Sequence, residues 1–140
     1  MNTFYRIGVL VAAASVSLGG AAFAVPPRIS TGAELVSACA AAKLPAPAPD
    51  DRVAGASCHQ FLAGMVAAIY ASTEKGRAMT VYRLGAKADE SVCIRLPEML
   101  KFETFAEEVT AYAPEHPELY ARPAFEMAAR TLAKNYPCPE

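Results

Sequence analysis

The chain has 140 residues, 54% of them hydrophobic, which suffices for one modest core and leaves no room for two domains. Its 13 Lys and Arg stand against 14 Asp and Glu. That near-balance excludes a general attraction to nucleic acid or to an anionic membrane, so any charged recognition has to be local.

Met1 to Arg6 is basic, Ile7 to Leu18 is apolar and small, and Ala22-Phe23-Ala24 offers the small residues a signal peptidase needs. This pattern predicts export, with a signal peptide over residues 1–24 and a mature periplasmic domain over residues 25–140. An uncleaved anchor fits less well, because the apolar core is only about 12 residues and no Lys or Arg directly follows it. After cleavage the chain has no membrane segment and a net charge of about −2. Cys39, Cys58, Cys93 and Cys138 all lie in the mature part. An even count in an exported chain reads as two disulfides. The rival, a metal site, lacks a C-x2-C pair and a His at ligand spacing, so no metal or cofactor is expected.

Taken in order, Thr31-Gly32-Ala33-Glu34 is a capping box that opens a first helix of about 12 residues, with Leu35, Cys39 and Ala42 at helical spacing. Leu44-Pro45-Ala46-Pro47-Ala48-Pro49 stops it. Asp50 to Ala56 then reads as a polar loop. Ser57 and Gln60 form a second capping box, and the apolar run Phe61 to Tyr70 predicts a central helix over residues 57–72 that needs neighbours on several sides. At about 15 residues it is too short for a bilayer, which takes about 20. Cys39 near the end of one helix and Cys58 at the start of the next would be adjacent in an antiparallel pair. A Cys39–Cys58 disulfide is therefore expected, worth about 3 kcal/mol in loop entropy.

From Ser72 to Glu90 the pattern weakens. Gly76 and Gly85 interrupt it, and Lys75, Arg77, Arg83 and Lys87 stand among Met79, Val81, Tyr82 and Leu84. Thr80 to Tyr82 is either a short extended piece or a continuation of the central helix past Gly76. Two roles stay open for the stretch, a solvated connection or a partner-binding loop. Val92 to Pro97 leads into a third helix over residues 102–113 with Phe102, Phe105, Val109 and Tyr112 inward. Its other face carries Glu103, Glu107 and Glu108, either a solvated face or an acidic docking surface. Pro123 opens a fourth helix running to Asn135, with Phe125, Ala128 and Leu132 as its core stripe. Cys93 precedes the third helix and Cys138 follows the fourth, so antiparallel packing pairs them. The whole reads as an all-α, disulfide-stapled bundle of about four helices arranged as two antiparallel hairpins.

Catalytic material is thin. The chain has two histidines, and His59 follows Cys58 directly, so the two project about 100° apart on a helix and cannot form a dyad. His116 lies in a turn. No nucleophile elbow, zinc-protease signature or phosphate-binding glycine loop occurs. No enzymatic activity is expected.

The series T-G-A-E-L-V-S-A-C at 31–39, S-C-H-Q-F-L-A-G-M-V at 57–66, C-I-R-L-P-E at 93–98 and A-K-N-Y-P-C-P at 133–139 resembles the Rap/Tai family of type VI secretion amidase-immunity proteins. The resemblance implies a small exported helical protein that binds a peptidoglycan amidase effector in the periplasm and occludes its active site, and it suggests a homodimer. The chain departs from the family pattern in its proline-rich loop and its long basic segment between Tyr70 and Cys93. On this reading Arg77, Tyr82 and Arg83 are the first candidates for partner contact, with Glu103, Glu107 and Glu108 second. Two rivals come from other classes. One is a periplasmic acid-stress holdase, which two His and two staples argue against; the other is a hydrolase relying on His59 or His116. An orphan family member of other role is a further alternative.

Overall fold

The structure is a computed structural model that describes residues 28–72 and 79–140. The expected signal peptide and Arg77 lie outside the described residues. Helix α1 (Gly32–Ala41) starts at the expected capping box: Thr31 Oγ1 accepts the Glu34 N–H at 3.3 Å, and the Glu34 carboxylate accepts the N–H groups of Ser30 and Thr31 at 2.8 and 3.0 Å. Those backbone donors, Ser30 first, hold the Glu34 carboxyl below its ordinary range. The next donors are satisfied across the fold, where Gly32 and Ala33 N–H reach the carbonyls of Arg122 and Tyr120 at 2.8 and 3.0 Å. A Cβ at position 32 would lie 2.2 Å from the Leu119 carbonyl oxygen, so the close approach needs glycine.

Helix α2 (Pro49–Ala71) begins well before Ser57. Proline stops a helix it follows but suits the first turn of the next, where its missing N–H is not needed and its φ is already helical. Asp50 and Asp51 favour the same end, and Asp51 Oδ2 accepts the Ala48 N–H at 3.2 Å. Ser57 is no cap; its hydroxyl donates to the Val53 carbonyl at 3.0 Å inside the helix. With 23 residues α2 is long and apolar enough to cross a bilayer, so the length argument against a span does not hold for it. Its inner stripe of Cys58, Leu62, Met65 and Ile69 is nevertheless buried in the core, and Cys58 is bonded to Cys39 of α1. Phe61, Val66 and Tyr70 pack partly buried against the same core, so the covered surface is wider than one stripe without encircling the helix. Ala63, Gly64, Ala67 and Ala68 face outward, and such small side chains leave little apolar surface to hide.

The all-α expectation is overturned by an antiparallel hairpin, β1 (Met79–Leu84) and β2 (Glu90–Arg95), which makes the fold mixed α/β. Burial alternates with period two along β1, and both runs contain β-branched or aromatic residues, so they suit a pleated surface. Gly85 and Ala88 supply the positive φ values, 88° and 52°, that turn the chain between them. The Val92 to Pro97 stretch is therefore mostly strand rather than a lead-in. Beyond β2 the C-terminal tail adds one bridge, Ile94 with Pro137, and the Arg95 N–H donates to the Tyr136 carbonyl at 2.9 Å. Cys93 and Cys138 are bonded beside it.

Helix α3 (Phe102–Tyr112) and two short 3-10 turns, Ala113–Glu115 and Pro117–Leu119, lead to α4 (Ala124–Asn135). Leu35, Leu62, Ile69, Ile94, Phe105, Val109, Met127 and Leu132 form one buried cluster drawn from all four helices and the hairpin. On α4, Ala128 and Leu132 are buried as expected, whereas Phe125 is 39% exposed. It packs edge-on against Tyr82 with ring centroids 4.7 Å apart.

Candidate functional site

The hairpin is held from one side. On its inner face Leu84 and Ile94 are buried and Tyr82 leans on Phe125. At its turn end Glu90 meets Arg130 of α4 at 2.6 Å, and the same guanidinium bonds Glu126 at 3.0 Å. Arg122 meets the other oxygen of Glu126 at 2.9 Å, so a buried carboxylate lies between two cations. Burial opposes the charge of Arg130, and its bonds to Glu90 and Glu126 outweigh that, raising its proton affinity. This network borders a polar pocket of about 380 Å³ under the hairpin turn.

The outer face looks away from the body. It carries Met79, Val81 and Arg83 on β1 opposite Arg95, Cys93 and Ser91 on β2. Met79 is 41% and Val81 59% exposed. Arg83 donates to Ser91 Oγ at 3.1 Å. Among the described residues neither Arg83 nor Arg95 has a carboxylate partner. Large apolar side chains between unneutralised arginines, on a strand pair fixed from behind, are the composition of a recognition surface.

The structure separates the residues singled out from the sequence. Tyr82 and Arg83 are neighbours on one strand and so lie on opposite faces, Tyr82 half-buried and Arg83 exposed. Glu103 and Glu107 are exposed one turn apart on α3 and border a shallow groove with Ala42 and Lys43. Glu108 turns the other way. Its Oε1 accepts the Tyr136 hydroxyl at 2.6 Å, and Oε2 is shut off from solvent and has no hydrogen-bond partner among the described residues. Burial raises its proton affinity against the pull of Tyr136, and the Tyr136 hydroxyl is pushed up to about 12, first by burial and then by Glu108.

A second surface is an apolar groove of about 370 Å³ lined by His59, Val66, Tyr70, Leu100 and Phe102. His59 stacks edge-on against Phe102 at 4.5 Å and His116 lies flat on Tyr112 at 4.0 Å, so each ring has an aromatic neighbour. Among the described residues no three His, Cys, Asp or Glu side chains gather as a metal site. His116 Nδ1 lies 3.3 Å from Glu118 Oε1, and the two disulfides consume the thiols of all four cysteines.

The family model for Rap1a immunity proteins matches residues 31–138. The chain belongs to the Rap1a immunity protein family. This bears out the resemblance drawn from the motifs, and the family relation makes the molecule an immunity protein whose task is to bind an effector partner. No curated protein and no solved structure matches it. Within this Rap1a chain the match spans both disulfides and the hairpin, so the sheet lies inside the family region rather than in an added segment.

Proposed function

We propose that this immunity protein acts in the periplasm by docking on a secreted peptidoglycan amidase and covering its cleft, with the outer face of the hairpin as the contact surface. The observation that carries the reading is the exposure of Met79 and Val81 between Arg83 and Arg95, on a strand pair braced by Arg130, Phe125 and the Cys93–Cys138 bond. A braced surface loses little conformational freedom on binding, which favours tight inhibition. Arg77, two residues before β1 in the chain, belongs with this surface in the proposal; Glu103 and Glu107 form a secondary contact. Two disulfides suit the oxidising periplasm. Inhibition here is by occlusion and needs no catalytic group. The homodimer would form through the flat Ala63, Gly64, Ala67 and Ala68 face of α2.

The test begins with capture of the amidase by the tagged mature protein from its host periplasm, followed by assay of amide-bond cleavage in peptidoglycan. Stoichiometric inhibition is expected, weakened roughly 100-fold by Val81→Asp with Arg83→Glu, a loss of the size seen when hot-spot residues are removed. A double variant that inhibits as well as wild type would remove the hairpin from the interface. Capture of many unfolded clients and no hydrolase would favour the holdase.

A further inference from the structure

Among the described residues nothing pairs with the outer edge of β1, and the backbone pattern shows which residues present that edge. In an antiparallel pair the N–H and C=O of a residue point the same way, and successive residues alternate sides. The Arg95 N–H donates to Tyr136 on the tail side of β2, so Arg95 and Met79 form a non-hydrogen-bonded pair. The exchanging pairs are then Thr80 with Ile94, Tyr82 with Val92 and Leu84 with Glu90. It follows that the backbone groups of Met79, Val81 and Arg83 point out of the sheet. Among the described residues none of these groups has a backbone partner.

Strand edges are usually blunted by proline, a bulge, an inward charge or a covering element. Within Met79–Leu84 there is no proline, the ladder runs without a bulge, and the one charge, Arg83, points to the outer face. The same residues that offer open backbone groups also carry the exposed side chains. A strand laid alongside would meet Val81 and Arg83 through backbone and side chain together.

We infer that the open edge of β1 binds by strand addition, taking an extended segment of the effector whose outward side chains alternate apolar and acidic. The apolar positions would cover Met79 and Val81, and the carboxylates would meet Arg83 and Arg95, which have no carboxylate partner among the described residues. This rests on the hairpin being the docking face and adds the backbone register to it.

The probe is a synthetic peptide, acetyl-Thr-Glu-Thr-Val-Thr-Glu-Thr-amide, whose Glu, Val and Glu share one face of the strand, added in excess to the isotope-labelled mature protein with both disulfides intact. Amide exchange at Val81 and Arg83 is expected to slow roughly tenfold, while Tyr82, already in the ladder, stays unchanged. Free exchange at Val81 and Arg83 would overturn the inference, as would equal slowing by a peptide N-methylated at alternate residues. The second measurement uses the captured effector with Val81→Pro, which removes an edge N–H without touching the β1–β2 ladder. A roughly tenfold loss of affinity with unchanged circular dichroism supports strand addition. If Val81→Pro binds normally while Val81→Asp with Arg83→Glu does not, the docking face stands and strand addition fails; if both bind normally, both fail.

Discussion

Arg130 on α4 and Glu90 at the start of β2 meet at 2.6 Å across 40 residues of sequence, and Arg130 holds the buried Glu126 with the same guanidinium. The two halves of this contact differ in worth. Glu90 is 55% exposed, so its bond is screened and adds under about 1 kcal/mol. Glu126 is buried, and removing Arg130 leaves its carboxylate with Arg122 alone. Arg130→Ala is expected to cost about 2–3 kcal/mol in urea unfolding and Glu90→Gln only a few tenths. Equal costs would show that the bond to Glu90, not the one to Glu126, carries the contribution of Arg130.

Gly32, at the start of the first helix, lies directly against the Leu119 backbone. Because the obstacle to a side chain there is the Leu119 backbone oxygen, no rotamer change relieves it. Gly32→Ala should destabilise by about 1–3 kcal/mol or more despite alanine's better helix propensity. Thr31→Ala, which removes only the cap, should cost about 1 kcal/mol. Denaturant midpoints of the two variants give the comparison.

The disulfides are unequal in the loops they close. Their sequence separations are 19 for Cys39–Cys58 and 45 for Cys93–Cys138. Chain entropy then assigns about 3 and about 4 kcal/mol respectively. Paired Cys→Ala replacements should lower thermal stability in that order, and loss of the Cys93–Cys138 bond should also speed amide exchange at Arg95, whose N–H is held by Tyr136. A larger loss from the shorter loop would point to native-state strain rather than unfolded-state entropy.

Glu108 and Glu34 respond to acid in opposite ways. Glu34 has a lowered folded pKa, so its contribution is present above the ordinary carboxylate range and is lost as pH falls through the folded value. Glu108 has a raised folded pKa, so protonation favours the fold, and stability declines as pH rises from the unfolded to the folded value. Glu108→Gln keeps an acceptor for Tyr136 without the charge. It should stabilise the protein at pH 7 by less than about 1 kcal/mol, since the group is only partly buried, and have little effect near pH 4. Thermal melts across this range would show the gap closing. A destabilised variant at pH 7 would mean that the ionised carboxylate is needed.

What could be read from the chain follows from how local each signal is. Helices α1 and α3 announce themselves by the Thr31–Glu34 box and by the Phe102, Phe105, Val109 and Tyr112 stripe, both contained within one element. The start of α2 is misleading because Pro49 follows two other prolines and reads as the last breaker, although it occupies a favourable first turn. The hairpin is hidden for a different reason. Strand pairing joins Met79 to Arg95 over a distance no window of periodicity covers, and Cys93 looks like the approach to a helix. At the candidate site, Arg83 is legible as an exposed cation. Glu108 is misplaced on the acidic face, although its position three residues after Phe105 and four before Tyr112 is the signal that it flanks the inward stripe. Nothing local marks the groove beside α2, since Leu100 and Phe102 reach it from outside that helix.

The two crosslinks follow one another along the chain without overlapping: Cys39 and Cys58 close a ring in the first half, Cys93 and Cys138 a ring in the second. A single peptide-bond cleavage anywhere between them therefore yields two covalently independent pieces, each still knotted to itself. What joins the halves is non-covalent, the meeting of Leu35, Leu62 and Ile69 with Phe105, Met127 and Leu132 and the backbone bonds from Gly32 and Ala33 to Arg122 and Tyr120. The molecule is in this sense an intramolecular heterodimer, and its two oxidised halves, made as separate chains, should find and complete each other in solution.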